Sequence, residues 1–342
     1  MDAPRPRPIL ITSIWAEAMA TLVLDNRALA LRIDGQALAF YENGERRGSL
    51  PIKLLERVIL QGDLSLSAGV LTRLAENGTA VLMLSKRHSR RLAVVLGPAH
   101  NDAAVRIAQA QRLFDQAWCA WWARRQIAAK TRAQVRVLKQ AMAKRPDCHY
   151  PLARAVTDLE HLCSHMDSPQ QPPSVERLRG FEGAAARAYF QGLTVLFPPS
   201  LGFTGRSRRP PRDPVNACLS LVYTLLHFEA VRAAHMAGLD PLLGFYHRPA
   251  FGRESLASDL IEPLRPHADQ WVWRLFQNRT LRAELFSRDG QACLLGKTGR
   301  EVFYQHYEAH FKPVRRLLQR QCRRLAAYFR QQGTPFLEED EA

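Results

Sequence analysis

Three separated segments of the chain each bring a carboxylate or an imidazole into a setting where it could do chemistry. In LRGFEGAAARAYF at 178–190, Phe181, Ala185, Ala188 and Tyr189 recur on one helical face. Glu182 lies beside that face and is followed by four small residues that admit a ligand or another backbone. In GFYHRP at 244–249, His247 sits in a turn-like stretch between aromatics and Arg248. In ESLASDLIEPLRP at 254–266, helical rotation puts Ser255, Asp259 and Glu262 on one side and Leu256, Leu260, Ile261 and Leu264 on the other. Two like charges three residues apart repel, and Pro263 sets them near a helix C-terminus, where the dipole also disfavours anions. A positive partner is required, either Arg253 or Arg265 or a metal ion. Taken singly, Glu182 also reads as an exposed helix position, and His247 as a hydrogen-bonded structural histidine. Taken together, carboxylates with one histidine form a donor set suited to Mg²⁺ or Mn²⁺, cations that activate phosphodiesters.

The rest of the composition supports a polyanionic partner. Forty-eight Lys+Arg against 32 Asp+Glu leave a formal charge of +16, and 41 of those cations are arginine and seven lysine. Arginine's planar fork matches phosphate oxygens, although coding bias produces the same excess. Metal-dependent chemistry on a nucleic-acid backbone is the function class these features favour. Disordered and fibrous classes are excluded by a hydrophobic content of 46%. No run of 18 apolar residues occurs, since the stretch 9–24 is broken by Glu17, so no membrane partner is expected. The basic, Ala-containing N-terminus imitates a weak signal peptide, but its apolar run, of about seven residues, is at the bottom of the usual range. Six cysteines without a C-x-x-C pair indicate a reducing cytoplasm. Cys148, His149, His161, Cys163 and His165 fit no standard zinc spacing.

The elements that must position these groups divide in two. From 21 to 96 the period is two, with Leu22 and Leu24, then Leu29, Leu31 and Ile33, then Leu38 and Phe40, broken at Asp34-Gly35 and Asn43-Gly44, both hairpin signals. Segments 58–60, 80–84 and 92–96 read as further strands, with one helix at 67–76 closed by Asn77-Gly78. Residues 1–97 therefore predict a small antiparallel β domain with one helix. After Pro98 the period becomes 3.6 and predicts an all-α domain over 98–342, interrupted by a Pro/Gln linker at 168–174 and a proline-rich loop at 197–214. That loop, with Arg206, Arg208, Arg209 and Arg212, reads as mobile and basic. Trp118, Trp121 and Trp122 recur at helical spacing as core. The last helix sets Val314, Leu317, Leu318, Leu325 and Phe329 against seven cations, of which Arg316, Arg320 and Arg323 are the candidate phosphate contacts.

The order and wording of these segments resemble one family, the CRISPR-associated endonuclease/integrase that acquires new spacers, the first-numbered Cas protein. The likeness rests on LRGFEGAAARAYF at 178–190, DPVNACLSLVYTLL at 213–226 and GFYHRPAFGRESLASDLIEPLRP at 244–266. It extends more loosely over FQNRTL at 276–281, CLLGKTGREVFYQHYE at 293–308 and the segment 49–85. The resemblance implies that Glu182, His247 and Glu262 are metal ligands and that Asp259 is a nearby acid needed for activity. Many members carry aspartate where this chain has Glu262. Asn216 would hold the helix that carries the pocket wall. The resemblance also implies an α+β fold with an N-terminal β-rich domain and a C-terminal helical catalytic domain. It implies a homodimer through the β domains, and a small partner, the second-numbered Cas protein. Short duplex DNA and the CRISPR repeat array would be the substrates, joined by attack of a 3′-hydroxyl on a phosphodiester. Arg206, Arg208, Arg209, Arg248, Arg316, Arg320 and Arg323 are the expected DNA contacts. Two other readings share these residues: a non-enzymatic nucleic-acid scaffold with its acids neutralised by arginine, and a stand-alone nuclease on branched DNA. The acidic run at 338–341 reads as a dispensable tail.

Overall fold

The computed structural model describes residues 20–26, 28–85, 91–98, 100–167, 173–207 and 210–333. The N-terminal stretch, Arg208, Arg209 and the acidic run at 338–341 lie outside the described residues. The chain divides into two units, one made of 1–99 with 297–312 and the other of 100–296 with 313–342.

In the first unit the expected hairpins form. Strands β1 (Ala20–Leu24), β2 (Leu29–Asp34), β3 (Ala37–Glu42) and β4 (Glu45–Pro51) are followed by β5 (Leu55–Gln61) and β6 (Ser65–Leu66). Helix α1 (Ala68–Glu76) and strands β7 (Ala80–Leu84) and β8 (Arg91–Val95) complete it. Strands β2, β3 and β4 pair antiparallel. Their second turn uses Asn43 at φ 53° and Gly44 at φ 84°, the left-handed pair that matches strand twist. Both four-stranded sheets depart from the antiparallel expectation: β6 pairs parallel with β2, and in the order β1-β5-β7-β8 the first three strands are parallel, with Val58 opposite both Leu22 and Val81. For β5 and β7 the reason is local, because α1 between them carries the chain back to the end where it started, and a strand reached by a crossover pairs parallel; β1 and β5 are joined by the longer excursion through β2, β3 and β4. Leu22, Leu24, Leu31, Phe40, Val58 and Val81 pack with Val70 and Leu74 of α1 in one core, each contributing about 1.5–3 kcal/mol by burial.

The second unit is built from α2 (Ala103–Arg112), α3 (Gln116–Met142), α4 (His149–Asp167), α5 (Val175–Thr194), α6 (Pro214–Met236), α7 (Ser255–Ile261) and α8 (Arg265–Gln277), and from much of α9 (Lys297–Gly333). Asp102, Asp115, Ser174 and Asp213 cap α2, α3, α5 and α6 through their side chains. It is not purely helical. Strands β9 (Phe286–Asp289) and β10 (Ala292–Leu295) form a hairpin, turning at Asp289-Gly290, a pair with the same signal as the two turns of the first unit. Helix α6 has the length and hydropathy of a membrane span, but 72% of that window is buried inside the protein. The first part of α9 belongs with the β-rich unit, where Arg57 bonds Glu308 at 2.9 Å, Arg300 holds Asp25, and Tyr304 donates to Gln61 at 3.0 Å. The division between the units falls at Pro313, inside the helix, where the missing N–H interrupts the ladder.

Candidate active site

The site is positioned by a close approach that only glycine permits. A Cβ on Gly244 would lie 2.4 Å from the carbonyl carbon of Ser255, so the following turn can lie directly against the start of α7. There the backbone N–H groups of Phe245, Tyr246 and His247 all donate to Asp259, at 2.8, 3.0 and 2.9 Å. Trp122 of α3 donates its indole N–H to the same carboxylate at 3.0 Å, and His247 Nδ1 lies 2.7 Å from Oδ1. Asp259 is fully buried, a position that is costly for an isolated carboxylate and tolerable only with such a set of donors. Its oxygens are committed to the turn. The acidic pair expected on one helical face does not share a partner: a 3₁₀ turn over 262–264, with Pro263 in its first positions, follows α7, and Glu262 is met by Lys130 and Arg265.

Glu262 meets Glu182 instead. Lys130 of α3 bonds Glu182 Oε1 at 2.6 Å and Glu262 Oε2 at 2.5 Å. Two carboxylates from distant helices thus each stand one hydrogen-bond length from a single nitrogen. Arg265 forms an ion pair with the other oxygen of Glu262, its Nε 2.9 Å away, so one of the two arginines considered from sequence is a partner. Tyr246 donates its hydroxyl to Glu182 Oε2. Burial opposes ionisation of Glu262, but the charges of Arg265 and Lys130 outweigh it and hold the carboxyl down at about 2. Burial likewise opposes the charge on Lys130, and the two glutamates raise its pKa all the same. Glu182 is part-buried rather than the exposed helix residue its segment also allowed.

Lys130, Glu182, His247 and Glu262 all line one cavity of about 350 Å³, together with Arg179 and Arg253. Gly183 opens onto it, with nothing within 4 Å of the place a Cβ would take. On the same wall Asp269 is fully buried and accepts from Tyr223. Burial pushes its carboxyl up to about 6, against the opposing hydrogen bond of Tyr223.

Among the described residues, no three His, Cys, Asp or Glu side chains converge closely enough to hold an ion as they stand. The point where Glu182 and Glu262 converge is taken by Lys130 Nζ. The donor chemistry fits a hard divalent cation: two carboxylates face one point, and the adjacent imidazole has its Nδ1 tied to a carboxylate, as metal-binding histidines do. The zinc-like group around Cys148 and His161 also holds no such cluster among the described residues.

The arginines expected to touch DNA separate into kinds. Arg206 is bound inward, to Asn216 Oδ1 at 2.7 Å and the Ser207 carbonyl at 2.6 Å, with its guanidinium over Tyr223. Asn216, fully buried, also bonds Gly205 and Asp213, so the loop read as mobile is anchored to the start of α6 through its described part. Arg248 is exposed, 3.9 Å from Glu176. Arg316, Arg320 and Arg323 are exposed on α9, opposite buried Val314, Leu318, Leu325 and Phe329. Sequence reasoning missed Lys130, Tyr246 and Trp122. A signal for Lys130 existed: it falls on the same stripe as Ile127, Gln134 and Val137, all buried, in a chain with only seven lysines.

The family model described as "CRISPR associated protein Cas1" matches residues 22–309. The chain belongs to the Cas1 family. It is 38% identical over 297 residues to a protein of Thermodesulfovibrio yellowstonii named CRISPR-associated endonuclease Cas1 1, covering 85% of this chain and 91% of that one. Among solved structures, a casposase bound to integration product superposes with a TM-score of 0.78 at 22% identity, covering 92% of this chain and 91% of that one. A Cas6-RT-Cas1–Cas2 complex gives a TM-score of 0.78 at 22% identity over 95% of this chain and 36% of that one. These likenesses establish the Cas1 fold, and the two-part α+β architecture agrees with it. As a Cas1-family member the chain is a CRISPR-associated endonuclease, which the sequence motifs led one to expect and which removes the non-enzymatic scaffold reading.

Proposed function

We propose that this Cas1-family enzyme inserts short DNA fragments into a CRISPR array by metal-assisted transesterification. The observation that carries the reading is the convergence of Glu182 and Glu262 on one point, with His247 lining the same cavity. Glu182, Glu262 and His247 would hold Mg²⁺ or Mn²⁺. When bound, such an ion polarises a phosphoryl oxygen and stabilises the charge that builds there. Asp259 distinguishes the two ring nitrogens of His247, taking Nδ1 and leaving Nε2 for whatever enters the cavity. It is a positioning acid rather than a ligand. Arg179 and Arg253 give the cavity a positive wall for the target phosphate. The 3′-oxygen of the fragment forms a bond to phosphorus as the target's own 3′-oxygen leaves, so the number of phosphodiester bonds is conserved. With water in place of the 3′-hydroxyl the same centre cleaves.

The exposed face of Arg316, Arg320 and Arg323, with Arg248 near the cavity, is the proposed DNA track, while Arg206 acts chiefly by holding its loop. Arg208 and Arg209 are proposed contacts on sequence alone. A homodimer through the β-rich unit, a Cas2 partner like that of the related Cas6-RT-Cas1–Cas2 complex, and a cytoplasmic location consistent with six free cysteines complete the proposal. The test is strand transfer of a labelled 3′-hydroxyl duplex into a repeat-bearing plasmid. Glu182→Ala, His247→Ala and Glu262→Ala should each lower the rate by about 10³-fold, the loss of several kcal/mol of charge stabilisation, with DNA binding kept within a few-fold. Wild-type rates in EDTA, or in all three variants, refute it. Cleavage of branched DNA without any strand transfer would favour the stand-alone nuclease.

A further inference from the structure

We propose that Lys130 is a displaceable internal cation that makes divalent-metal binding and phosphate binding at this centre depend on each other. The inference rests on the metal-site reading above. Its starting point is the charge inventory of the cluster. Glu182 and Glu262 contribute two negative charges, and Lys130 and Arg265, in direct contact with them, contribute two positive ones. The centre is therefore neutral before any ion arrives. Arg179 and Arg253 on the cavity lining add further positive charge.

A divalent cation seeking the oxygens that face one another must take the position of the ammonium. Cations so close to one another repel strongly in a part-buried site, and the ammonium stands 2.6 and 2.5 Å from the two facing oxygens, at the point an ion bound to both would take. Lys130 and Arg265 differ in how readily they can yield. The guanidinium of Arg265 lies over the Tyr223 ring at 4.6 Å beside Glu262, and the stacking holds its plane in place. Lys130 is a compact ammonium on a four-carbon stem with rotatable donors. It is rooted in α3 and bonds the two glutamates through its ammonium alone. Once displaced, its charge remains inside a cavity of about 350 Å³ already walled by arginine. An arriving phosphate neutralises both the added ion and the released ammonium. Metal alone must expel Lys130 into a positive cavity; metal with DNA gives it an anion to move to.

The experiment measures Mn²⁺ affinity by electron paramagnetic resonance, with and without a duplex ended in 3′-dideoxynucleotides so that no reaction follows. Wild type should bind Mn²⁺ at least about 10-fold more tightly with the duplex present, within the usual range for coupled sites. Lys130→Met should bind Mn²⁺ without DNA at least about 10-fold more tightly than wild type, and the duplex should then add less. Lys130→Arg, which retains the charge, should return the metal-only affinity toward wild type. Unchanged or weaker metal binding by folded Lys130→Met overturns the proposal. Glu182→Gln separates this failure from that of the site itself: if the substitution leaves Mn²⁺ affinity at the wild-type value, the ion binds elsewhere and the site reading falls as well. A measurement on wild type covers the case of a variant that does not fold. With seven lysines in the chain, side-chain ¹⁵N resonances can be resolved, and the Lys130 signal should shift when Mg²⁺ and duplex are added together. A Lys130 signal that stays in place overturns the proposal.

Discussion

Two carboxylate sites lie within a few residues of each other in this fold, and they are satisfied in opposite ways. Asp259 is held by three backbone N–H groups, an indole and an imidazole. The backbone donors cannot leave without rebuilding the turn at 245–247. Glu182 and Glu262 are held by side chains, a lysine shared between them with a phenol and an arginine beside it. The first site is a fixed part of the framework, made possible by Gly244. The second has partners that can be exchanged, and it faces a cavity. Exchangeable partners mark where a ligand binds, and fixed ones mark what aims the ligand's neighbours.

Substitution at the two sites should separate loss of chemistry from loss of framework. Glu262→Gln should abolish strand transfer to background while the chain stays folded, because Lys130 retains Glu182. Asp259→Asn should lower activity by about 10–100-fold, the usual effect of losing a partner behind a histidine that holds a metal. It should also lower stability by about 1–3 kcal/mol, since an amide nitrogen now faces backbone donors in a dry site. Calorimetry beside a strand-transfer assay reads both. Strand transfer retained by Glu262→Gln, or unchanged stability in Asp259→Asn, would erase the distinction between fixed and exchangeable sites.

The pH dependence sharpens the comparison with a third buried acid on the same wall. Glu262, at about 2 in the folded protein against an ordinary 4.5, contributes stability that is present above pH 4.5 and lost as pH falls toward 2. Asp269 is raised from 3.8 to about 6 by burial, so its contribution is present below pH 3.8 and lost as pH rises through 6. Each amounts to roughly 3 kcal/mol at most, at about 1.36 kcal/mol per unit. Asp269→Asn should flatten the fall in stability between pH 4 and 6, and Glu262→Gln the loss between pH 4.5 and 2. Denaturant midpoints across that range measure both, and coincident slopes in wild type and Asp269→Asn would contradict the first assignment. The smallest effect belongs to the surface. Changing Arg316, Arg320 and Arg323 to Glu should flatten the salt dependence of DNA binding by about 0.9 in log–log slope for each phosphate no longer neutralised. An unchanged slope returns that face of α9 to plain solvation.

What could be read from the sequence followed how local each cause was. Asp34-Gly35 and Asn43-Gly44 announced their turns because positive φ is a property of the turn residues themselves. The parallel pairing of β1, β5 and β7 was not announced by alternation, which is the same for either direction, although the helix between β5 and β7 implied it for those two strands. Asp289-Gly290 carried a hairpin signal that the surrounding helical periodicity obscured. At the site, Glu182, His247 and Glu262 were legible because each sits in a long segment with an unusual order of residues. Lys130 could be read only as a position on the stripe of Ile127, Gln134 and Val137, since one lysine in a regular helical stretch acquires its role only when distant carboxylates fold onto it. The separate partners of Asp259 and Glu262 were hidden for a similar reason: helical spacing assigned them one side, but their donors come from other segments of the chain, Trp122 and 245–247 for the one and Lys130 for the other.

The most direct measurement is anomalous diffraction from crystals of the protein grown with Mn²⁺ and duplex DNA. The account predicts one strong manganese peak between the carboxylates of Glu182 and Glu262, within about 2.0–2.6 Å of an oxygen of each, with His247 beside it and the Lys130 ammonium withdrawn from that point. Manganese bound only at other residues, with Lys130 still bridging both glutamates, would contradict it.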